Sequence, residues 1–224
     1  MVTGVETQWI EHHSQKDLGY CIEAKNKLLL IDADIMYHRA AFAVEDAFDF
    51  GERSVHTSSK QDAINLFHRL LLGVLQRLQT NRYIMCWSGT KNFRKDLWDG
   101  YKANRENVRR PDGGDDLKTV LMKQYPSLLV PGLEADDLMG LHSGHGTLIV
   151  SDDKDLMTVP GLHYRPRKPE EGCVYIDNAE AKYRWYQQIL MGDRVDGYAG
   201  IPGIGEKKSE KILKSGGVAW TTVV

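Results

Sequence analysis

Cysteine is scarce in this chain. Cys21, Cys86 and Cys173 are far apart and odd in number. That excludes a disulfide framework, offers no zinc spacing, and fits a reducing cytosol. Long apolar runs are also missing. No stretch approaches the ~20 apolar residues of a membrane span, and the N-terminus lacks a signal-type run. No membrane partner is expected, and the cytoplasm is the expected compartment. Internal repeats and low-complexity tracts are absent. A net excess of either charge is absent too. The 29 Lys and Arg nearly balance 31 Asp and Glu, leaving a formal charge of -2. The mean therefore says nothing about nucleic acid; only the distribution can. What is present is 42% hydrophobic residues in 224. That suits one α/β domain plus a small module.

The acids are not spread evenly. Residues 132–140 read Gly-Leu-Glu-Ala-Asp-Asp-Leu-Met-Gly, with Glu134, Asp136 and Asp137 at the start of a predicted helix. The helix dipole favours one or two acids there. Three exceed what capping requires, and their repulsion is costly without a cation. Residues 27–32 form a continuous apolar run of the buried parallel-strand type. Asp32 and Asp34 stand at its C-terminal end, where open α/β sheets place their chemistry. Residues 147–151 form a second such strand, followed by Asp152, Asp153 and Asp155. Asp193 and Asp196 make a fourth cluster.

The intervening chain supplies the framework. Helices are predicted at 35–42, 61–79, 115–125 and 177–190. Strands are predicted at 83–87 and 127–130, with edge strands at 162–164 and 173–176. Residues 46–59 read as a polar loop. Residues 1–26 carry a possible helix with Trp9, Ile10 and Leu18. His12 and His13 there, and His142 and His145 in a glycine-rich loop, read as metal ligands or as ordinary polar residues.

Between Lys91 and Arg110 the charge turns positive, with seven basic against three acidic residues. Phe93, Trp98 and Tyr101 are interleaved. Such a segment is either a solvated helix or a surface where basic groups meet phosphates and aromatics stack on bases. Arg39, on the first helix, reads as a surface salt bridge or a phosphate contact. Near the C-terminus, Gly-Ile-Pro-Gly-Ile-Gly at 200–205 opens onto a helix carrying Lys207, Lys208, Lys211 and Lys214. A glycine-rich turn entering a helix presents backbone N–H groups to a phosphate. It matches the helix-hairpin-helix grip on a DNA backbone.

Four acid clusters on separate elements imply convergence. An all-oxygen site suits hard ions, Mg²⁺ or Mn²⁺. Two such ions ~4 Å apart would clamp a phosphodiester displacement. The basic segment and the hairpin would hold the polyanion that the acids repel.

These motifs, in this order, resemble the 5′-nuclease superfamily, which includes flap endonucleases and the 5′-nuclease domain of bacterial DNA polymerase I. They are most similar to the phage 5′→3′ exonucleases. The resemblance covers about residues 27–214. It implies an α/β fold: a mostly parallel central sheet flanked by helices, a PIN-like core with a helical arch at about 91–125. The catalytic domain would span 1–190. A helix–three-turn–helix module would span 191–224 and reads as truncated, because relatives continue with further helices. The resemblance implies two Mg²⁺ (or Mn²⁺) ions held by Asp32, Glu134, Asp136, Asp137, Asp153, Asp155, Asp193 and Asp196. Asp137 has two alternatives, an outer-shell water or the helix cap. Lys102 and Arg105 match the arch residues at the scissile phosphate. With Asp32 and Asp153 they form the expected catalytic set. Arg39, Phe93, Arg94, Tyr101, Gly203, Gly205, Lys207 and Lys208 are the further DNA-binding candidates, and a potassium ion is implied at the 201–205 hairpin. The substrates implied are DNA with 5′ ends or flaps, with RNA–DNA hybrids also used among relatives. The compartment for a phage-encoded chain is the host cytoplasm. Many relatives carry an Asp after the second strand, where this chain has Ser88 and Gly89. Two rival readings are a PIN-type ribonuclease and a catalytically silent DNA-structure-binding protein.

Overall fold

A computed structural model describes residues 24–49, 54–105, 108–111 and 113–215. A six-stranded sheet forms the centre, in the order β5-β4-β1-β6-β7-β8. Its strands are β1 (Leu28–Asp32), β4 (Tyr83–Trp87), β5 (Ser127–Leu129), β6 (Thr147–Val150), β7 (Gly161–Tyr164) and β8 (Cys173–Ile176). All neighbours pair in parallel except β7 and β8. This is the predicted mostly parallel sheet with flanking helices.

The period-two geometry of a strand sends alternate residues to opposite faces. Leu29 and Ile31 of β1 join Met85, Trp87, Leu148 and Val150 on one face. There they meet α1 (Ala33–Ala43), α2 (Lys60–Leu78) and α4 (Gly114–Gln124). Phe67, Leu71, Val74 and Leu78 of α2 and Leu117 and Leu121 of α4 are buried against them. Leu30, Cys86 and Ile149 face the other way, onto Ala135, Leu138 and Met139 of α5 (Ala135–His142). Helices thus cover both faces, which is why these strands read as unbroken apolar runs. The apolar stripe of α6 (Asn178–Met191) splits its task. Ala181 packs on Met157 and Ile176, while Tyr186 and Leu190 pack on Leu213 of α7 (Glu206–Ser215).

From β1 the chain winds outward through β4 and β5, then returns to the other side of β1 as β6. The winding reverses between β1 and β6. That switch point opens a crevice at the strands' C-terminal ends, where doubly wound sheets bind ligands. Asp32 ends β1 and also caps α1, accepting the Ile35 amide at 3.1 Å. The helix therefore begins at Ala33, earlier than the sequence suggests.

Three expectations need correction. Residues 46–59 are not simply a loop. β2 (Glu45–Asp49) and β3 (Ser54–Ser58) pair antiparallel as a separate two-stranded sheet. A short ladder outside the main sheet lacks the apolar run that betrays a central strand. β7 is not an edge strand, because β8 returns alongside it and takes the edge. The basic segment is not one continuous helix. It holds a five-residue helix, α3 (Phe93–Leu97), and a 3-10 turn at Ala103–Arg105. The suggested helix near Trp9, with His12 and His13, lies outside the described residues.

Candidate active site

The carboxylates fall into two chemically distinct sets. The first set is paired with cations of the basic segment. α5 begins with a reciprocal cap between Glu134 and Asp137. The Glu134 amide donates to Asp137 at 3.0 Å. Arg94 grips Asp137 with both terminal nitrogens, at 2.8 and 2.5 Å. This fork is the strong, planar form of a carboxylate pair. Arg94 holds the Asp137 carboxyl below its ordinary range, and the partner in turn raises Arg94. Glu134 has both oxygens taken. Lys102 Nζ lies 2.5 Å from Oε1, and the Tyr101 hydroxyl donates to Oε2. Burial works to raise the Glu134 carboxyl, but the bonds from Lys102 and Tyr101 outweigh it and hold it low. Burial and that same bond to Glu134 push the Tyr101 phenol up. Arg105 meets Asp196 at 2.6 Å, with Lys102 Nζ 3.9 Å from the same carboxylate.

The second set has no such partner. Among the described residues, no Lys or Arg pairs with Asp32, Asp136, Asp153, Asp155 or Asp193. Asp32 is buried at the switch point, and burial pushes its carboxyl up to about 7 against the help of Ile35 and Ser151. Burial, then the charges of Glu134 and Asp137, raise Asp136. Asp155 is pushed up to about 7 by burial, by Asp153, and by a carboxyl–carboxyl hydrogen bond with Asp193. Burial also acts on Asp193, yet the Val195 amide and the proton from Asp155 hold its carboxyl low. Like charges with one proton between them are the sign of a site lacking its counter-charge.

The backbone joins these sets. Lys102, itself at φ 54°, donates its amide to the Asp196 carbonyl at 3.1 Å. The Asn104 side chain donates to the carbonyls of Arg194 and Val195 at 2.9 and 3.3 Å. The turn carrying Asp193 and Asp196 is thereby stitched to the basic segment. Asn104 was visible in the Tyr-Lys-Ala-Asn-Arg motif but had no assigned task.

Several residues escaped sequence reading. Ser151 donates to Asp32 at 2.8 Å and accepts the Asp153 amide at 3.0 Å, tying the ends of β1 and β6. Asp34, counted with the converging acids, is engaged elsewhere. It accepts the Ser88 amide at 2.7 Å and Lys118 Nζ at 2.8 Å. Ser88 in turn accepts the Ala135 amide through Oγ at 3.0 Å, helping to start α5. A Cβ on Gly89 would stand 3.3 Å from the Val130 carbonyl, so this position is crowded against the chain leading to Glu134. Lys118 is one lysine on an amphipathic helix, and no sequence signal marks it.

Of the remaining candidates, Arg39 is exposed on α1, near Asp32 and Ser151. Phe93 is exposed, with the Arg94 guanidinium 4.8 Å from its ring centre. Tyr101 is buried inside the site. At the far end, Gly203 adopts φ 76°, and Lys208 Nζ reaches its carbonyl at 2.9 Å. Gly205 accepts the Ser209 amide at 2.9 Å as α7 begins, while Lys207 is exposed beside Lys211 and Lys214. His142, the last residue of α5, and His145 in the loop after it are both exposed.

The fold and the placement of the carboxylates define an α/β protein of the PIN-like 5′-nuclease class. The chain belongs to the family described as 5′-3′ exonuclease, N-terminal resolvase-like domain, which it matches over residues 27–185. It is 28% identical over 215 residues to DNA polymerase I of Geobacillus stearothermophilus, covering 86% of this chain and 24% of that protein. It is 29% identical to a 5′-3′ exonuclease of Bacillus subtilis, covering 84% of this chain and 70% of that one. An exodeoxyribonuclease of phage T3 is 30% identical over 59% of this chain and 51% of its own. The chain thus spans about a quarter of its polymerase relatives' length. Among solved structures, a phage T5 protein crystallised with metal ions shares the fold. Its TM-score is 0.62 at 16% identity, covering 84% of this chain and 74% of that chain. A bacteriophage T5 flap endonuclease in complex with DNA and metal ions gives 0.60 at 16% identity, with the same coverage.

Proposed function

We propose that this chain is a metal-dependent 5′→3′ exonuclease with flap endonuclease activity, acting on DNA with 5′ ends or flaps. The observation that carries the reading is the second carboxylate set. Asp32, Asp136, Asp153, Asp155 and Asp193 make no ion pair with a Lys or Arg among the described residues, while Lys102 and Arg105 pair with Glu134 and Asp196.

The residues fit divalent ions by chemistry. The donors are all oxygen, and two carboxyls are pushed up to about 7, chiefly by burial and then by neighbouring acids. Hard cations with carboxylate ligands, Mg²⁺ or Mn²⁺, suit this set. As the side chains stand, no three His, Cys, Asp or Glu groups converge at ion-holding distance among the described residues. Ion binding therefore requires side-chain rotation, and Glu134 must first release Lys102 and Tyr101. Two ions, when bound, supply a more acidic water and neutralise charge on the phosphate.

Asp32, Glu134, Asp136, Asp153, Asp155, Asp193 and Asp196 are the ligands in this reading. Asp137 serves as cap and as Arg94's partner. Released from Glu134, Lys102 carries its ammonium to the scissile phosphate, and Arg105 pairs beside it. Fixed cations aimed at developing negative charge stabilise the transition state. A water attacks phosphorus in line, and the 3′-oxygen leaves, giving a 5′-phosphate. The turn at 200–205 and the lysines of α7 hold the duplex backbone as a helix–three-turn–helix. The Gly203 carbonyl already accepts a cationic group, which supports a potassium ion there. RNA–DNA hybrids are a further substrate, and the cytoplasm is the proposed compartment.

The test is digestion of 5′- and 3′-labelled flap and duplex DNA with Mg²⁺, beside a matched single-stranded RNA. Release from the 5′ end or flap, with RNA spared, is the expected result. Preferential RNA cleavage would assign a PIN-type ribonuclease. Tight DNA binding without cleavage would assign a silent structure-binding protein.

A further inference from the structure

Three aromatic residues of the basic segment could offer a face to a nucleobase, and the structure separates them. Tyr101 is buried and its hydroxyl is committed to Glu134. Phe93 has the Arg94 guanidinium over its ring. Trp98 is 46% exposed and is braced from behind. A Cβ on Gly100 would lie 2.5 Å from the indole, so only glycine lets the ring sit there. The far edge of the indole comes within 3.9 Å of where a Cβ on Gly197 would stand, one residue beyond Asp196. Gly197 itself is at φ 83° and packs against the Gly100 carbonyl.

We infer that Trp98 is a stacking platform for one unpaired nucleobase of the substrate strand, next to the nucleotide being cleaved. The inference rests on the nuclease reading and names a subsite within it. A half-exposed indole already braced by Gly100 and Gly197 needs little ordering when a base arrives. Its cost in side-chain entropy is already met by the glycines. Lys91 and Lys95 on the same segment supply charge that draws the phosphates of that strand. Base–aromatic stacking is tolerant of sequence, so the platform would grip any base. The position beside Asp196 sets the register: a stacked base at Trp98 brings its neighbouring phosphate to Lys102 and Arg105. Trp98 is thus a positioning residue, touching substrate away from the reacting atoms.

The test uses the full chain with Mg²⁺ and a 5′-flap DNA. In parallel, the same DNA carries a single abasic site moved one nucleotide at a time across the cleavage point. Trp98→Ala should raise KM about tenfold with kcat changed less than about threefold, the scale expected for losing one stacked base. Trp98→Phe should recover most of the loss, and Trp98→Leu should not. At one position the abasic site should weaken wild type by the same factor and have no further effect on Trp98→Ala. Unchanged KM in Trp98→Ala, full rescue by Leu, or an abasic penalty that is additive at every position would overturn the subsite. Thermal melting of each variant separates lost stacking from lost fold, because Trp98→Phe and Trp98→Leu should melt alike. If wild type cleaves no DNA, the nuclease reading itself fails. If wild type cleaves and the variants match it, only the platform fails.

Discussion

Glu134, Asp137 and Asp196 are held by Lys102, Arg94 and Arg105. Among the described residues, Asp32, Asp136, Asp153, Asp155 and Asp193 pair with no Lys or Arg. The residue type is the same and the crevice is shared. The paired set is electrically complete without any ligand, and it fastens the basic segment to the sheet. The unpaired set makes no direct ion pair and is stabilised by backbone amides, Ser151, a shared proton and the longer-range charges of Lys154 and Arg94. Removing one partner of a desolvated pair leaves an uncompensated charge. A protein that keeps five carboxylates in that condition is built to receive positive charge. The paired set joins the basic segment to α5 and to the 193–196 turn, and the unpaired set lacks that counter-charge.

Four changes would break or sharpen this contrast. The largest effect is expected from Asp153→Ala, which removes an unpaired acid. Single-turnover cleavage should fall on the order of 10³-fold, several kcal/mol of transition-state stabilisation. DNA affinity, read by fluorescence anisotropy, should hold or rise because repulsion is relieved. Next, saturating Mg²⁺ should raise the thermal midpoint over EDTA by about 5–10 °C. Ligand at 100 times its dissociation constant contributes about 2.7 kcal/mol. A paired-set change is the third test. Arg94→Ala strands Asp137 and should cost about 2 kcal/mol in urea unfolding, with the pair's partial exposure already discounted. Metal affinity should change little, since Asp137's task is structural.

The smallest effect concerns pH. The folded-state carboxyl of Asp32 is raised to about 7 from an ordinary 3.8. Between these values the folded protein binds more protons than the unfolded chain. In EDTA its contribution therefore makes stability fall as pH rises from about 4 to about 7. Asp137 acts oppositely. Its lowered carboxyl adds stability above the ordinary carboxylate range, and that stability is lost as pH falls through its folded pKa. Asp32→Asn should flatten the EDTA melting profile between pH 5 and 7.5. A profile as steep as wild type would contradict the burial of that charge.

Much of this was legible beforehand. β1, β4 and β6 declared themselves as apolar runs, because both faces of a central parallel strand are covered. The Glu134–Asp137 spacing announced a helix start, and capping was one reading of Asp137. Three of the acid clusters were legible because each followed a strand or opened a helix, whereas Asp193 and Asp196 follow a helix and lie in a turn. Which acids had partners was not legible. Arg94 and Asp137 are 43 residues apart, and Lys102 and Glu134 are 32 apart. Only the crossover of the sheet brings them together. Asp34 looked equivalent to Asp32, yet it points to Ser88 and Lys118. Two residues, about half a helical turn, send the two side chains to different neighbours. The β2–β3 hairpin was illegible because its ladder stands apart from the core whose burial shapes the readable strands.

The central claim is that the unpaired carboxylates form a cation site. Calorimetric titration of the metal-free protein with Mn²⁺, beside Asp153→Ala and Arg94→Ala, tests it directly. The account predicts saturable binding with proton release in wild type, binding retained in Arg94→Ala, and binding lost or weakened at least tenfold in Asp153→Ala. A featureless wild-type titration, or equal binding in Asp153→Ala, would contradict it.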